Sequence, residues 1–216
     1  MKLITLVDSI TRGTHIDDNG HWAVAEPNYS QGLQSLLGFD ELLCLGVNGV
    51  SVSTTSPVNS EDALCLLCAQ AQNADILIIA GGTNDYGTSV EIGDKTDERD
   101  VSFYGGLDIL YRKARENNPN AQIYVVLPIR RRNENTPNEK GYVLDDYRAA
   151  IAYKAAQYAY PTIDGRNLAI DPENEEQRLA YIRDGLHPST RGHKLYAQFL
   201  YKEIVRLQNA KGETVC

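Results

Sequence analysis

The stretch KLITLVDSITRG, residues 2–13, carries the first structural signal of the chain. Five apolar or β-branched residues, 3–7, run without alternation into Asp8 and Ser9, and Gly13 follows four residues later. An unbroken apolar run is typical of a parallel strand that is covered on both faces. A polar pair directly after such a run favours a turn. Ser9 is therefore either an ordinary turn residue or a nucleophile held where a strand opens to solvent.

The pattern of the first strand repeats along the chain and predicts the fold. Apolar runs alternate with segments of helical periodicity. The predicted strands are residues 3–7, 42–45, 75–80, 122–127 and, with a less regular pattern, 162–170. The predicted helices are residues 30–37, 60–72, 105–116, 144–158 and 189–210. This alternation predicts an α/β fold, a three-layer α/β/α sandwich around a central, mostly parallel five-stranded sheet, in a single domain spanning residues 1–216.

The composition limits the partners and the compartment. With 29 acidic and 21 basic side chains the net charge is −8, which disfavours binding to nucleic acid or to an anionic membrane surface. No apolar stretch reaches the roughly 20 residues of a membrane helix, and residues 3–7 are fewer than the roughly 7 to 15 of a signal-peptide core. We expect a cytoplasmic protein without membrane insertion; the alternative is the mature form of an exported protein. The oligomeric state stays open.

The four cysteines, Cys44, Cys65, Cys68 and Cys216, are too few for a disulfide scaffold in a chain of this size. Cys65 and Cys68 form a CxxC pair, but they lie in an apolar helical pattern and have no second pair of cysteines or histidines. A structural zinc ion takes four ligands. The pattern therefore predicts buried thiols and no metal site.

Four polar clusters lie where the chain leaves a predicted strand or enters the last predicted helix. They are Asp8-Ser9, GVNG at residues 46–49, GGTND at residues 81–85 and DGLHP at residues 184–188. The carboxyl ends of parallel strands meet at one edge of the sheet, where open α/β folds bind their ligands. We therefore expect these four clusters to converge in space.

The residue types of these clusters suit acyl transfer through a serine. A serine nucleophile needs a base and a third group that orients the base. His187 can accept and return a proton near neutral pH, and Asp184 can hold one ring nitrogen while the other faces Ser9. The backbone N–H groups of Ser9 and Gly49 and the side-chain amide of Asn84 can bind the oxyanion. This chemistry requires neither a metal nor an organic cofactor.

The clusters resemble the motifs of the SGNH, or GDSL-type, hydrolase family, in the family's order and over almost the whole chain. The family's first block, Gly-Asp-Ser-x-Thr-x-Gly, matches residues 8–13, with Val7 in place of its opening glycine. Gly-x-Asn-Asp matches residues 82–85, Asp-x-x-His followed by Pro matches residues 184–188, and Gly49 matches the loop glycine of the second block. The resemblance implies a flavodoxin-like SGNH hydrolase fold and an esterase that works through an acyl-enzyme.

The sequence thus predicts a serine-dependent carboxylic ester hydrolase for a small-molecule or carbohydrate ester. Two polar stretches, residues 86–102 and 130–141, follow the third and fourth predicted strands and are expected to form the rims of the substrate pocket. Polar rims favour short acyl groups, such as acetyl on a carbohydrate. The alternatives are a lysophospholipase, thioesterase or aryl esterase, and, from another class, a non-catalytic flavodoxin-like module that binds a ligand such as FMN at the same edge.

Several other polar residues are given ordinary roles. His15, His21 and His193 have no partner pattern and are interpreted as surface or helix histidines. The triplet Arg130-Arg131-Arg132 is interpreted as a solvated loop whose aliphatic stems pack in part on the protein; the alternative is that it attracts an anionic substrate. Trp22 can offer a flat face to a sugar ring.

Overall fold

A five-stranded sheet forms the centre of the computed structural model, which describes residues 1–212. The strands in chain order are β1 (Lys2–Val7), β2 (Thr14–Ile16), β3 (Trp22–Val24), β4 (Glu41–Gly46), β5 (Ile76–Ala80), β6 (Gln122–Leu127) and β7 (Thr162–Asp164). The central sheet has the order β4-β1-β5-β6-β7, and each neighbouring pair is parallel. The remaining strands, β2 and β3, form a separate antiparallel hairpin. The predicted parallel sheet is confirmed.

Helices cover both faces of this sheet. In chain order they are α1 (Ser9–Arg12), α2 (Tyr29–Leu37), α3 (Leu64–Leu67), α4 (Thr83–Gly87), α5 (Phe103–Asn117), α6 (Leu144–Gln157), α7 (Glu175–Tyr181) and α8 (Thr190–Lys211). One core cluster joins the sheet to α3, α5 and α6, and a second joins the opposite face to α2 and α8. This arrangement confirms the predicted α/β/α sandwich.

Strand β1 shows why its sequence is apolar without alternation. Ile4 and Leu6 point into the core on the α5 face, whereas Leu3 and Val7 point into the core on the α8 face. The polar residue between them, Thr5, is fully buried, and its hydroxyl lies 3.0 Å from the hydroxyl of Ser30 on α2. A side chain on either face of β1 is therefore removed from water, which fixes the strand that leads to Ser9.

The predicted helix over residues 60–72 is wrong. Asn59 adopts a positive φ of 50° and provides no side-chain cap, and Ala63 leaves the helical region with ψ at 143°. The N–H groups of Leu64 and Cys65 donate instead to the carbonyls of Ser51 and Val52, at 2.9 and 3.1 Å. Because these donors bind a neighbouring loop, only the short helix α3 forms, between 3₁₀ turns at Ser60–Asp62 and Cys68–Gln70.

The fifth predicted strand, residues 162–170, is shorter than expected because its chain turns at Gly165 into a 3₁₀ turn, Gly165–Asn167. A Cβ at Gly165 would lie 2.2 Å from the carbonyl oxygen of Leu127, so the backbones approach too closely for any other residue. The hairpin β2–β3 and the short helices α1, α4 and α7 were not predicted at all.

Two of the cysteines lie in the core. Cys65 and Cys68 are fully buried free thiols, and burial raises the pKa of Cys68 to about 11. Cys44 is a half-buried free thiol, and Cys216 lies outside the described residues. Within residues 1–212, no group of three or more histidine, cysteine or acidic side chains is placed to hold a metal ion. In the same part of the chain no helix combines the length and apolar character needed to cross a membrane.

Candidate active site

Ser9 begins α1 immediately after β1 and is held there by Asp8. The Asp8 carboxylate caps α1 by accepting the N–H of Ile10 at 2.9 Å. Burial raises the pKa of Asp8 to about 6, although the hydrogen bond from Ile10 favours the charged form. The helix ends after one turn at Gly13, whose φ is 88°. The nucleophile candidate therefore sits on a short, capped helix at the carboxyl end of the buried strand β1.

Asp184 and His187 lie in a tight loop before α8. The Oδ1 atom of Asp184 accepts the backbone N–H groups of Leu186 and His187, at 2.9 and 2.7 Å, and its Oδ2 lies 2.7 Å from Nδ1 of the His187 ring. Burial of Asp184 raises its pKa, but the hydrogen bonds from His187 and Leu186 outweigh burial and leave the pKa below its usual value. Asp184 is therefore a stable carboxylate that orients the imidazole.

Gly185 and the backbone of Arg132 fix the loop that carries Asp184 and His187. Gly185 has a φ of 79°, and a Cβ there would lie 2.6 Å from the Cβ of Arg132. The N–H of Arg132 donates to the carbonyl of Gly185 at 2.7 Å. The loop that carries Asp184 and His187 is thus anchored to the segment that follows β6.

His187 lies beside Ser9, although the two residues are far apart in sequence. Its Nε2 lies 2.9 Å from Oγ of Ser9, across a sequence separation of 178 residues. With Nδ1 donating to Asp184, Nε2 is free to accept the Ser9 proton. The edge of the Trp22 ring approaches the imidazole with ring centroids 5.6 Å apart. The structure therefore brings together the three side chains that the sequence singled out.

The predicted oxyanion donors border the same cavity. Gly49 adopts a positive φ of 71°, and within residues 1–212 its N–H has no protein acceptor. Asn84 lies on α4, and its Nδ2 donates one hydrogen to the carbonyl of Val50 at 2.7 Å. That bond orients the amide and leaves its second hydrogen for a bound oxygen. Ser9, Gly49 and Asn84 all line one cavity of about 450 Å³.

The outer wall of this cavity comes from the unpredicted hairpin. Thr14 of β2 and Trp22, Ala23 and Val24 of β3 line it, and the hydroxyl of Thr14 donates to Oδ1 of Asn48 at 2.9 Å. Trp22 is 65% exposed, so most of its ring is open to solvent. Strands of only three residues carry almost no periodic signal, which explains why the sequence pattern missed them.

The predicted rims do not line the cavity. Residues 86–102 and 130–141 pack on each other: the hydroxyl of Tyr86 donates to the carbonyl of Asn133 at 2.8 Å, and Lys140 lies 3.2 Å from Glu91. These two stretches therefore contact each other, whereas the hairpin β2–β3 lines the cavity. The prediction that they form the pocket rims is wrong.

Arg131 also differs from its predicted role in a solvated loop. Its guanidinium donates to the carbonyl and the hydroxyl of Thr83, both at 3.2 Å, and lies 5.2 Å from the centre of the Tyr86 ring. Burial lowers the pKa of Arg131, while the charges of Asp184 and Asp8 raise it. Arg131 therefore supports the start of α4, the helix that carries Asn84. It also places a positive charge near the carboxylates of Asp8 and Asp184.

Val7, which replaces the glycine of the family motif, does not narrow the cavity. It is the last residue of β1, pairs with Gly46 of β4 and is 3% exposed. Its side chain packs into the core on the α8 face and is not among the residues that line the cavity. The departure from the motif is therefore accommodated inside the protein.

The three remaining histidines, His15, His21 and His193, line no part of this cavity. Nδ1 of His193 accepts the N–H of Tyr29 at 3.2 Å, and burial lowers the pKa of His193 to about 3. His193 is therefore a neutral residue of the core, which agrees with the ordinary role predicted for it.

Asp85, next to Asn84, gives a pH-dependent prediction. Its carboxylate is fully buried and accepts the N–H of Val52 at 3.0 Å, and burial raises its pKa to about 7 from a usual value of 3.8. Between these values the folded chain holds a proton that the unfolded chain has released, so the contribution of Asp85 to stability falls as the pH rises from about 4 to about 7.

We expect Asp85→Asn to remove this pH dependence. Between pH 4 and pH 7.5 the free energy of unfolding of the original protein should fall by on the order of 4 kcal/mol more than that of the variant. Urea unfolding at both pH values measures the difference. An identical pH dependence in the two proteins would show that Asp85 does not titrate in this range.

Known proteins resemble this chain in fold and in sequence. A structure of a protein from Lactobacillus plantarum shares 27% identity, with a TM-score of 0.79 and 95% and 96% of the two chains covered. The carbohydrate acetylesterase Est24 from Sinorhizobium meliloti has 16% identity and a TM-score of 0.68, covering 95% of this chain and 99% of Est24. The aryl esterase of M. smegmatis has 19% identity, the same TM-score and the same coverage.

Among curated proteins, none matches this chain. The pattern that defines the GDSL-like lipase/acylhydrolase family, by contrast, matches residues 8–195, from the aspartate before Ser9 to the first turns of α8. The match includes all four polar clusters that meet at the cavity. The chain therefore belongs to the GDSL-like lipase/acylhydrolase family.

Proposed function

We propose that this chain is a serine-dependent carboxylic ester hydrolase with Ser9 as nucleophile, His187 as general base and Asp184 as the residue that orients His187. The observation that carries the proposal is the continuous line of contacts from Ser9 Oγ to His187 Nε2, 2.9 Å, and from His187 Nδ1 to Asp184 Oδ2, 2.7 Å. A module that only binds a ligand has no use for an ordered base and its orienting carboxylate.

The mechanism follows from these contacts. Ser9 Oγ attacks the ester carbonyl carbon while its proton passes to Nε2 of His187, and the imidazolium is stabilised by the charged Asp184. The tetrahedral oxyanion accepts hydrogen bonds from the N–H of Gly49, the N–H of Ser9 and the free amide hydrogen of Asn84. His187 then protonates the leaving alkoxide, which leaves an acyl group on Ser9. Water, activated by His187, attacks the acyl-enzyme and regenerates the serine.

We further propose that the acyl group is short, such as acetyl, and that the alcohol is a carbohydrate. The cavity supports this proposal: the exposed Trp22 offers a flat apolar face, and Asn48, whose Oδ1 accepts the hydroxyl of Thr14 at 2.9 Å, offers its amide group. The fold neighbour Est24 is a carbohydrate acetylesterase. The aryl esterase among the neighbours makes an aromatic alcohol the second candidate, since Trp22 would also contact an aromatic ring.

A substrate panel tests the acyl preference. The protein is assayed with p-nitrophenyl esters of increasing chain length and with acetylated sugars. We expect the acetyl ester to be turned over with the highest kcat/KM among the p-nitrophenyl esters. Fastest turnover of long chains would contradict the short-acyl proposal and favour a lysophospholipase or thioesterase role.

Asn84→Ala tests the oxyanion role. We expect kcat to fall by about 10²- to 10³-fold with little change in KM, because the amide binds the oxyanion and not the ground-state carbonyl. Asn117→Ala is the matched control, since its amide also donates to a backbone carbonyl, that of Cys68 at 3.0 Å, and it lies outside the cavity. Equal kcat values for the Asn84 variant and the original protein would exclude the oxyanion role.

A further inference from the structure

Arg12 lines the candidate catalytic cavity, and its backbone is fixed there. It is the last residue of α1, three positions after Ser9, and residues three apart lie on the same side of a helix with Cβ atoms about 5–6 Å apart. Its N–H donates to the carbonyl of Asp8 at 3.3 Å. Gly46 of β4 packs so closely that a Cβ there would lie 2.8 Å from the Arg12 nitrogen. The side chain therefore starts from a rigid position beside the nucleophile.

The guanidinium of Arg12 has no counter-charge in the part of the chain that the structure describes. Within residues 1–212 it forms no hydrogen bond or ion pair with another side chain, and none of the cavity-lining residues described there is an aspartate or a glutamate. The acidic residues of the hairpin turn are occupied elsewhere. Asp17 accepts the backbone N–H of His21 at 2.8 Å, and Asp18 lies 2.8 Å from the guanidinium of Arg183.

This unpaired cation contrasts with the charge of the whole chain. The net charge is −8, so most of the surface is expected to attract cations. The cavity, by contrast, is lined by an arginine, which attracts anions. Arginine binds carboxylate and phosphate oxygens through two parallel N–H groups, which gives both attraction and orientation. Trp22, on the hairpin, lines the same cavity with a mostly exposed ring against which a sugar ring can pack.

We propose that Arg12 selects substrates whose alcohol part carries an anionic group, a carboxylate or a phosphate, within about one sugar ring of the ester. An acylated sugar acid or sugar phosphate fits this description: its ring packs on Trp22, its ester reaches Ser9 and its anionic group binds Arg12. The inference rests on the proposed ester hydrolase function and adds the substrate charge to it.

The test compares two esters of almost the same shape. The probes are O-acetylated glucuronic acid and O-acetylated glucuronamide, in which a neutral amide replaces the carboxylate; O-acetylated glucose 6-phosphate is added to distinguish phosphate from carboxylate. The proteins are the original chain, Arg12→Gln and the control Arg112→Gln. Arg112 is an exposed arginine of α5, so the control makes the same change of net charge far from the cavity.

We expect the original protein to prefer at least one anionic ester over the amide by about tenfold or more in kcat/KM, the range of a charge-assisted hydrogen bond. Arg12→Gln should lose this preference mainly through KM and keep its rate on the neutral amide, while Arg112→Gln keeps the preference. The preference of the original protein should also shrink as salt rises from about 0.01 to 1 M, which tests the proposal without any variant.

Three results would overturn the inference. They are equal kcat/KM for the anionic and neutral esters in the original protein, an equal loss on both kinds of ester in Arg12→Gln, and no turnover of any of the sugar esters by a protein that hydrolyses p-nitrophenyl acetate. In each case turnover of p-nitrophenyl acetate shows that the ester hydrolase function stands. Absence of turnover on p-nitrophenyl acetate and on the sugar esters, together with absence of labelling of Ser9 by a fluorophosphonate, would instead contradict the proposed function itself.

Discussion

Ser9→Ala is expected to lower kcat for ester hydrolysis by about a million-fold while KM stays within a few-fold. The reason is that the alanine side chain has no atom to attack the carbonyl, so the acyl-enzyme cannot form. The cavity, the candidate oxyanion donors and the contact between His187 and Asp184 stay in place, and substrate binding is preserved. Steady-state kinetics on p-nitrophenyl acetate measure the loss.

A covalent probe separates this chemistry from general damage to the fold. A fluorophosphonate should add to the original protein in a one-to-one ratio by mass spectrometry and should not add to Ser9→Ala. Ser35→Ala is the control, because Ser35 is an exposed serine of α2 whose hydroxyl donates to the carbonyl of Gln31 at 3.0 Å. Labelling of the Ser9 variant at the same rate as the original protein would mean that another residue is the nucleophile.

Asp184→Asn is expected to lower kcat by about 10⁴-fold. The Asp184 carboxylate accepts two backbone N–H groups on one oxygen and the His187 ring on the other. In the variant, the amide oxygen keeps the backbone bonds and the amide nitrogen therefore faces Nδ1 of His187. Nδ1 must then accept, so the ring proton moves to Nε2, where it blocks acceptance of the proton of Ser9.

The matched control for Asp184→Asn is Asp94→Asn. Asp94 also accepts a backbone N–H in a turn, that of Thr96 at 2.8 Å, and is exposed and outside the cavity. It should keep the full rate. A rate within tenfold of the original for Asp184→Asn would show that the carboxylate does not set the tautomer of His187.

Much of the fold was predictable because its signals are strong and local. The strand β1 has both faces buried, so its apolar run is continuous, and Ser189 caps α8 where the sequence places the last helix. The helix over residues 60–72 could not be predicted correctly, because the N–H groups of Leu64 and Cys65 donate to carbonyls of the preceding loop, Ser51 and Val52, instead of to their own helix. Such tertiary competition leaves no trace in periodicity.

The candidate site was likewise predicted only in part. Ser9, Asn84, Asp184 and His187 were found from short motifs. The structure places Ser9, Asn84 and His187 around one cavity, and Asp184 contacts the ring of His187. The cavity wall was not found, because a hairpin of two three-residue strands with an exposed Trp22 resembles a loop in sequence. A second signal was present in the first motif, since Arg12 follows Ser9 by three residues, but only the structure shows that its guanidinium has no partner among residues 1–212.

The distance of 178 residues between the serine and the histidine has a consequence for biosynthesis. On the proposed mechanism, the base His187 is translated 178 residues after the nucleophile Ser9. We therefore expect every incomplete product that stops before position 187 to be inert, however well its sheet has assembled. Hydrolysis should begin only when the loop that carries His187 has been made and has docked beside α1.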